Sequence, residues 1–247
     1  MPIREFAPPF SPPDRIAPTL AERGFAVADA TWVEALSGAR RAELVALGRE
    51  WDDLPPDPYL KDGGHYRRRR HASFVVDGAT CRGVPHRAHF QSPEYNALHG
   101  GMQRWFEPMR STITERPPWA ALLTGLASLF GASGTRNPWY VEAHQFRIDT
   151  SDGIGRPTPE GAHRDGVDYV ALFLVAREGI KGGETRVFEG DAPGGLRFTL
   201  KEPWSVLLID DARVIHESTP IQPLSPGTNG HRDTLVLTYR RRGFQEA

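Results

Sequence analysis

Cysteine is almost missing from this chain: Cys81 stands alone among 247 residues. A single thiol excludes an internal disulfide framework and points to a reducing compartment. Long apolar runs are missing as well, none approaching the roughly 20 residues that a membrane-spanning helix requires. The N-terminal segment has no charged stretch leading into an apolar one, so no secretory leader is expected. The expected location is therefore cytoplasmic, with no membrane partner. An excess of either charge is lacking too. The 30 Lys and Arg residues face 31 Asp and Glu residues, and a net charge of -1 gives no global field to attract nucleic acid or an anionic lipid surface.

What the chain does have is 25 Gly and 22 Pro, which favour many turns and short strands over a helical bundle. Its length suits one large domain, 1–247, and a 39% hydrophobic content can fill its core. Residues 1–20 are rich in proline and are expected to run as an extended arm. Its role stays open between a lid on a site and a contact in a homodimer. Apolar spacing predicts a helix over Thr31–Trp51, stopped by the proline cluster that follows. A hairpin is expected from His65 to Val76, turning at Asp77-Gly78. Residues 117–132 read as a helix with proline at its start and glycine near its end. From residue 139 to about 242 the texture is one of short strands. Trp139–Ile148, Tyr169–Val175, Thr185–Phe188, Leu196–Leu200, Trp204–Ile209 and Thr234–Arg240 are separated by Gly, Pro and Asp. That pattern predicts a mainly β, jelly-roll-like core preceded by helices.

The residues that carry chemistry lie in this second half. His163-Arg164-Asp165 has the form His-x-Asp, and His216 follows 51 positions after the aspartate. Alternate residues of an extended segment point to one side, so His163 and Asp165 can reach a common metal ion. His216 must then arrive from a distant strand. Two imidazoles and one carboxylate form the facial triad that leaves positions open on non-haem Fe(II). A His-x-Asp pair alone recurs by chance in many proteins; its surroundings give it weight. Arg232 opens the last strand, where a guanidinium could clamp the distal carboxylate of a bound 2-oxoglutarate.

Four stretches taken together resemble the bacterial 2-oxoglutarate/Fe(II)-dependent dioxygenase family that includes the L-isoleucine 4-hydroxylases. They are Glu160–Val170, Gly182-Gly183-Glu184-Thr185, Leu208–Ile221 and Gly230–Arg240, in register within a likeness covering residues 60–242. The resemblance implies a double-stranded β-helix, a cupin-like jelly roll, with Fe(II) at His163, Asp165 and His216. It implies 2-oxoglutarate held by Arg232, O2 as the oxidant, and hydroxylation of a free amino acid with release of succinate and CO2. Ala162-His163-Arg164 departs from the commoner Ile-His-Gln and adds a cation beside the site.

Other candidates come from their position. Gln145 and Arg147 share one face of the strand before the His-x-Asp loop, and His144 with Phe146 share the other. Gln145 and Arg147 are taken as candidate oxoglutarate contacts. Arg164, Asp168 and Glu184 are candidate substrate contacts. Asp210 and Asp211 are expected to shape a turn. In Tyr66-Arg67-Arg68-Arg69-Arg70-His71 an extended strand puts two arginines on each side, and Asp57 and Asp62 are near in sequence to neutralise them. The expectation is a pocket wall in which Tyr66 and Arg67 meet a substrate carboxylate. The alternatives are a nucleic-acid site acting on modified bases, a larger biosynthetic intermediate as substrate, or a non-catalytic metal-binding jelly roll.

Overall fold

A computed structural model describes residues 6–96, 98, 100–131, 138–189 and 194–246. The proline-rich arm is less extended than expected. A short 3-10 turn at Pro13–Arg15 leads into helix α1, Ile16–Arg23. Gly24, with φ of 77°, ends that helix, and strand β1, Phe25–Ala28, follows buried along its whole length. Residues 1–5 of the arm lie outside the described residues. Asp29 then caps α2, Ala30–Ser37, by accepting a hydrogen bond from the Trp32 amide at 2.9 Å.

The single helix expected over Thr31–Trp51 is two. Gly38, at φ 67°, closes α2 in the left-handed conformation that suits a residue without Cβ. The chain restarts as α3, Arg41–Ala46, and ends in a 3-10 turn at Leu47–Trp51. The expected hairpin is present as β2, Arg67–Asp77, and β3, Thr80–Gly83. Helices α4, Ser111–Thr114, and α5, Pro117–Phe130, complete the helical part. Ala132, where the expected helix ended, lies outside the described residues.

The remaining strands are β4 (Trp139–Asp149), β5 (Tyr169–Glu178), β6 (Ile180–Gly182), β7 (Thr185–Glu189), β8 (Gly195–Phe198), β9 (Val206–Asp210), β10 (Val214–Ser218), β11 (Ile221–Pro223) and β12 (His231–Arg240). A seven-stranded sheet runs in the order β1-β9-β5-β12-β4-β2-β3, with every neighbour antiparallel. The smaller sheets are β10-β7-β8 and β11-β6. The protein is mainly β, a jelly roll flanked by helices. Trp204, expected to open a strand, instead sits before it at φ 68°, and its buried indole packs on Phe173.

Alternation along the large sheet divides its two faces. Val141 and Ala143 of β4, Ala171 and Phe173 of β5, and Leu235, Leu237 and Tyr239 of β12 join the helices in one apolar core. On the other face Val170, Leu172 and Leu174 pack against Val187 and Phe198 of the small sheet. The polar residues of that inner face gather at one end of the roll, where the cavity described next opens.

Candidate metal and co-substrate site

His163 and His216 face each other across an isolated antiparallel bridge, each amide donating to the other's carbonyl at 3.0 Å. Directly opposed residues in such a bridge bring their side chains close on one face, and the two imidazole rings lie 4.7 Å apart. Asp165 comes to the same point two residues after His163. Its Oδ1 is 3.7 Å from His163 Nε2 and its Oδ2 is 3.7 Å from His216 Nε2. Both imidazoles are nearly buried, with side-chain exposures of 10% and 7%.

A second carboxylate holds the loop in shape. Asp211 Oδ1 accepts the Asp165 amide at 2.9 Å, and its Oδ2 accepts the amides of Gly166 and Val167 at 2.8 and 3.1 Å. Gly166 sits at φ 75°, and a Cβ there would meet the Tyr95 ring at 2.4 Å, so the turn after Asp165 requires glycine. From the other side Gln91 donates to Asp165 Oδ1 at 3.3 Å, and Gln245 donates to the Asp165 and Gly166 carbonyls at 3.1 and 3.0 Å.

The electrostatics suit a cation. Burial, then the charge of His163, lowers the His216 pKa to about 4. Burial acts to raise the Asp165 pKa, but hydrogen bonding and charge from His163, then His216, outweigh it and keep the carboxylate below its usual range. For His163 burial acts downward, and Asp165 and Glu160 overcome it to raise the pKa to about 10. His163 Nδ1 is tied to the Gly161 carbonyl at 2.9 Å, which leaves Nε2 facing the cluster. Two imidazole nitrogens and a carboxylate oxygen lie within 4.8 Å of one another, and these residues fit a divalent first-row metal.

Beside this cluster is a cavity of about 120 Å³ that extends to Arg232. Arg232 is 3% exposed, and its Nη2 is buried with no hydrogen-bond partner among the described residues. Burial, with the Arg177 charge added, lowers its pKa to about 10. A buried guanidinium with a free N–H fits an anionic partner such as a co-substrate carboxylate. Thr234, Val236 and Thr238 line the cavity from the same face of β12, while Leu235 and Leu237 turn to the helices.

A second group of possible ligands is His71, His89, Glu142 and His144, of which His89, Glu142 and His144 form another wall of the cavity. Glu142 meets His71 Nε2 at 3.2 Å and His89 Nδ1 at 3.3 Å, and accepts from Arg87 at 3.3 Å. Arg69 lies 2.7 Å from His144 Nδ1. Two guanidiniums at hydrogen-bond distance occupy the directions a cation would need, so this group is better suited to a polar wall than to a metal.

Not every residue singled out in the sequence reaches the cavity. Arg67 lines it, as do His163, Asp165, His216 and Arg232. The β4 alternation falls the other way from that taken for Gln145 and Arg147: Glu142, His144, Phe146 and Ile148 face the cavity. Gln145 donates to the Glu50 carbonyl and Arg147 pairs with Asp233 at 2.7 Å and Asp52 at 3.1 Å, both outside the cavity. Tyr66 is buried against Ile148, Ile180 and Ile221, with its hydroxyl donating to Asp62. Asp168 accepts the Arg241 amide, and Glu184 pairs with Arg186 at 3.0 Å. Arg164 is not among the lining residues either.

Sequence inspection missed His89, Gln91, Asn96, Arg104, Glu160 as a lining residue, and Gln245. His89, Gln91, Asn96 and Arg104 come from the irregular segment between β3 and α4, where no periodicity marks a facing direction. Glu142 was recoverable, two positions from His144 on one strand face. The four-arginine run divides as strand geometry requires. Arg67 and Arg69 are buried inward, while Arg68 pairs with Asp149 at 3.5 Å and Arg70 with Glu107 at 2.8 Å.

The jelly roll and its cavity define a class, the non-haem iron dioxygenases that use an oxoacid. The chain belongs to the 2OG-Fe dioxygenase family, whose model matches residues 48–238. Enzymes of this family require Fe(II), 2-oxoglutarate and O2. The chain is similar to a bsmA homologue of Methylobium petroleophilum PM1, at 49% identity over 99% of each chain and a TM-score of 0.89. It shares its fold with IDO from Bacillus thuringiensis, at 18% identity over 95% of this chain and all of that one, with a TM-score of 0.74. It likewise shares its fold with the Fe(II)/α-ketoglutarate-dependent dioxygenase TqaL, at 20% identity over 93% and 87% of the two chains and a TM-score of 0.71. No curated protein sequence matches the chain. Among the described residues no helix is long and apolar enough to cross a membrane.

Proposed function

We propose that this dioxygenase hydroxylates a free amino acid, with iron held by His163, Asp165 and His216 and the distal carboxylate of 2-oxoglutarate held by Arg232. The observation that carries this is one cavity that joins the three ligand side chains to a buried guanidinium with a free N–H. When bound, iron and oxoglutarate would supply, with O2 as the oxidant, the chemistry that converts C–H to C–OH with release of succinate and CO2. The chain's own residues position and enclose. Asp211 fixes the Asp165 loop through three backbone hydrogen bonds, and Gln91 orients the Asp165 carboxylate. Ile148, paired with Arg232 across the sheet, and Leu172 and Val236 farther along give the cavity apolar walls that strengthen charge interactions by keeping water out.

The amino-acid assignment is supported by the mixed charge of the cavity wall. Arg67, Arg69 and Arg104 offer cationic donors, and Glu160 offers a carboxylate, as a zwitterion requires. A nucleic-acid substrate is disfavoured because Arg68 and Arg70 are already paired with acids and the other two arginines of the run are buried.

The test is anaerobic titration of the apoprotein with Fe(II) and 2-oxoglutarate, followed by the visible metal-to-ligand charge-transfer band. The band is expected to form, and Arg232→Ala should weaken oxoglutarate binding by about 3 kcal/mol, roughly a hundredfold. Iron binding without the band would overturn the oxoacid site. Succinate release across an amino-acid panel then tests the substrate class, and no release above the substrate-free rate with any amino acid would overturn it.

A further inference from the structure

We propose that the amino acid taken by this cavity is an acidic one, carrying a carboxylate at the end of its side chain as well as at Cα. This rests on the amino-acid function proposed above and narrows it. The cavity wall holds three guanidiniums, Arg67 and Arg69 from β2 and Arg104 from the segment preceding α4, at 6%, 3% and 2% exposure. Among the described residues one carboxylate lies within 4 Å of them. Asp57, with a fully buried side chain, receives Arg67 Nε at 2.7 Å and lies 3.8 Å from Arg69. Glu142 and Glu160 act on Arg69 and Arg104 only from farther off, so guanidinium charge is left without a contact partner inside a low-dielectric wall, where an uncompensated charge is costly.

The donors are also unanswered. Arg67 Nη2, Arg69 Nε and Arg104 Nε are buried without a hydrogen-bond partner among the described residues. Buried polar groups are nearly always paired, so three orphaned N–H groups on one wall call for acceptors from a ligand. The wall is rigid enough to select. Arg69 is sandwiched between the rings of Phe106 and Phe146, 3.7 and 4.3 Å from its guanidinium carbon, and its Nη2 rests on His144. Burial first, and the neighbouring guanidiniums besides, lower the pKa of both Arg69 and Arg104, against the opposing pull of Asp57 and Glu142 on both and of Glu160 on Arg104.

The opposite charge is available at one place. Glu142 already accepts from Arg87 and meets both His71 and His89. Glu160 Oε1 lies 3.5 Å from His163 Nε2, and its Oε2 is buried with no partner among the described residues, facing the same cavity. An ammonium group answers Glu160, and two carboxylates answer the orphaned guanidinium N–H groups. An acidic amino acid carries that set. An aliphatic side chain would lie against the guanidiniums and leave their N–H groups unsatisfied.

The test is calorimetric titration of the wild-type protein, loaded anaerobically with Fe(II) and saturating 2-oxoglutarate, with the twenty standard amino acids. L-glutamate or L-aspartate should bind at least about tenfold more tightly than its own amide. Arg104→Gln should shrink that ratio, and Arg104→Lys, which keeps the charge, should retain part of it. If glutamine, asparagine or isoleucine binds as tightly as the acids, the acidic assignment is overturned and the amino-acid function stands. If no amino acid binds while the charge-transfer band still forms, both are overturned.

Discussion

Asp211 shows how much a single buried side chain can decide without touching a substrate. Its carboxylate accepts three successive amides at 165–167 and is 1% exposed. Burial and then the nearby Asp165 charge raise its pKa to about 7, while the backbone donors act against that rise. Asp211→Asn replaces one acceptor oxygen with a donor NH2 that faces backbone N–H groups. We expect a loss of about 1–3 kcal/mol in stability and weaker Fe(II) binding, with native circular dichroism. Thermal denaturation with and without Fe(II) checks this; an unchanged metal-induced shift in Tm would remove the positioning role. In the sequence Asp211 was legible as a turn residue only, because its three partners lie more than forty positions earlier in the chain.

At the scale of elements, the period-2 pattern of strands places almost everything that matters. It brings Arg67 and Arg69 inward from β2, Glu142, His144 and Phe146 from β4, and Arg232 and Thr234 from β12. The turn between His163 and β5 depends on Gly166. A side chain there would need the left-handed conformation, costing about 1–2 kcal/mol from the backbone alone, and would overlap Tyr95. Gly166→Ala is therefore expected to lower Tm and to weaken Fe(II) affinity together, measured by melting and by metal titration. Retention of both would show that the turn tolerates a Cβ. Elements were legible where sequence periodicity ran long, as in β2, β4 and α5. The face of β4 that meets the site was not, since alternation defines two faces without saying which one is inside. The split of α2 from α3 at Gly38 was missed because Leu44, Leu47 and Trp51 resume a helical spacing after the gap at 37–43.

For the whole molecule, the concentration of buried imidazoles sets an acid limit. Burial, chiefly, lowers the pKa values of His71 and His144 in the fold and brings His89 to about 4. In the unfolded chain each returns to about 6.5. Between these values the unfolded state binds more protons, so stability is fully present above about pH 6.5 and is lost as pH falls toward 4. The loss reaches at most about 1.4 kcal/mol per pH unit for each imidazole. The groups facing this cluster include Glu142, Arg69, Arg87 and Arg104, and they do not reverse the sign. Tm measured from pH 7.5 to 4.5 should fall with acidification, and His89→Gln should flatten the slope. A flat wild-type profile would mean the imidazoles are already protonated in the folded protein.

The sequence by itself determined the class of fold and the iron-ligand candidates. Strand periodicity, turn residues and the order His-x-Asp, His, Arg are local facts, and local chemistry dictates them whatever the packing. The tertiary structure alone decided which wall faces the cavity. It set Arg104, His89 and Gln91 from an irregular segment beside arginines of β2, and brought Gln245 from the far end of the chain onto the metal-ligand loop. Charge balance inside that wall is a sum over residues distant in sequence. Its orphaned guanidinium N–H groups exist only once those residues share one buried space, where water no longer answers or screens them.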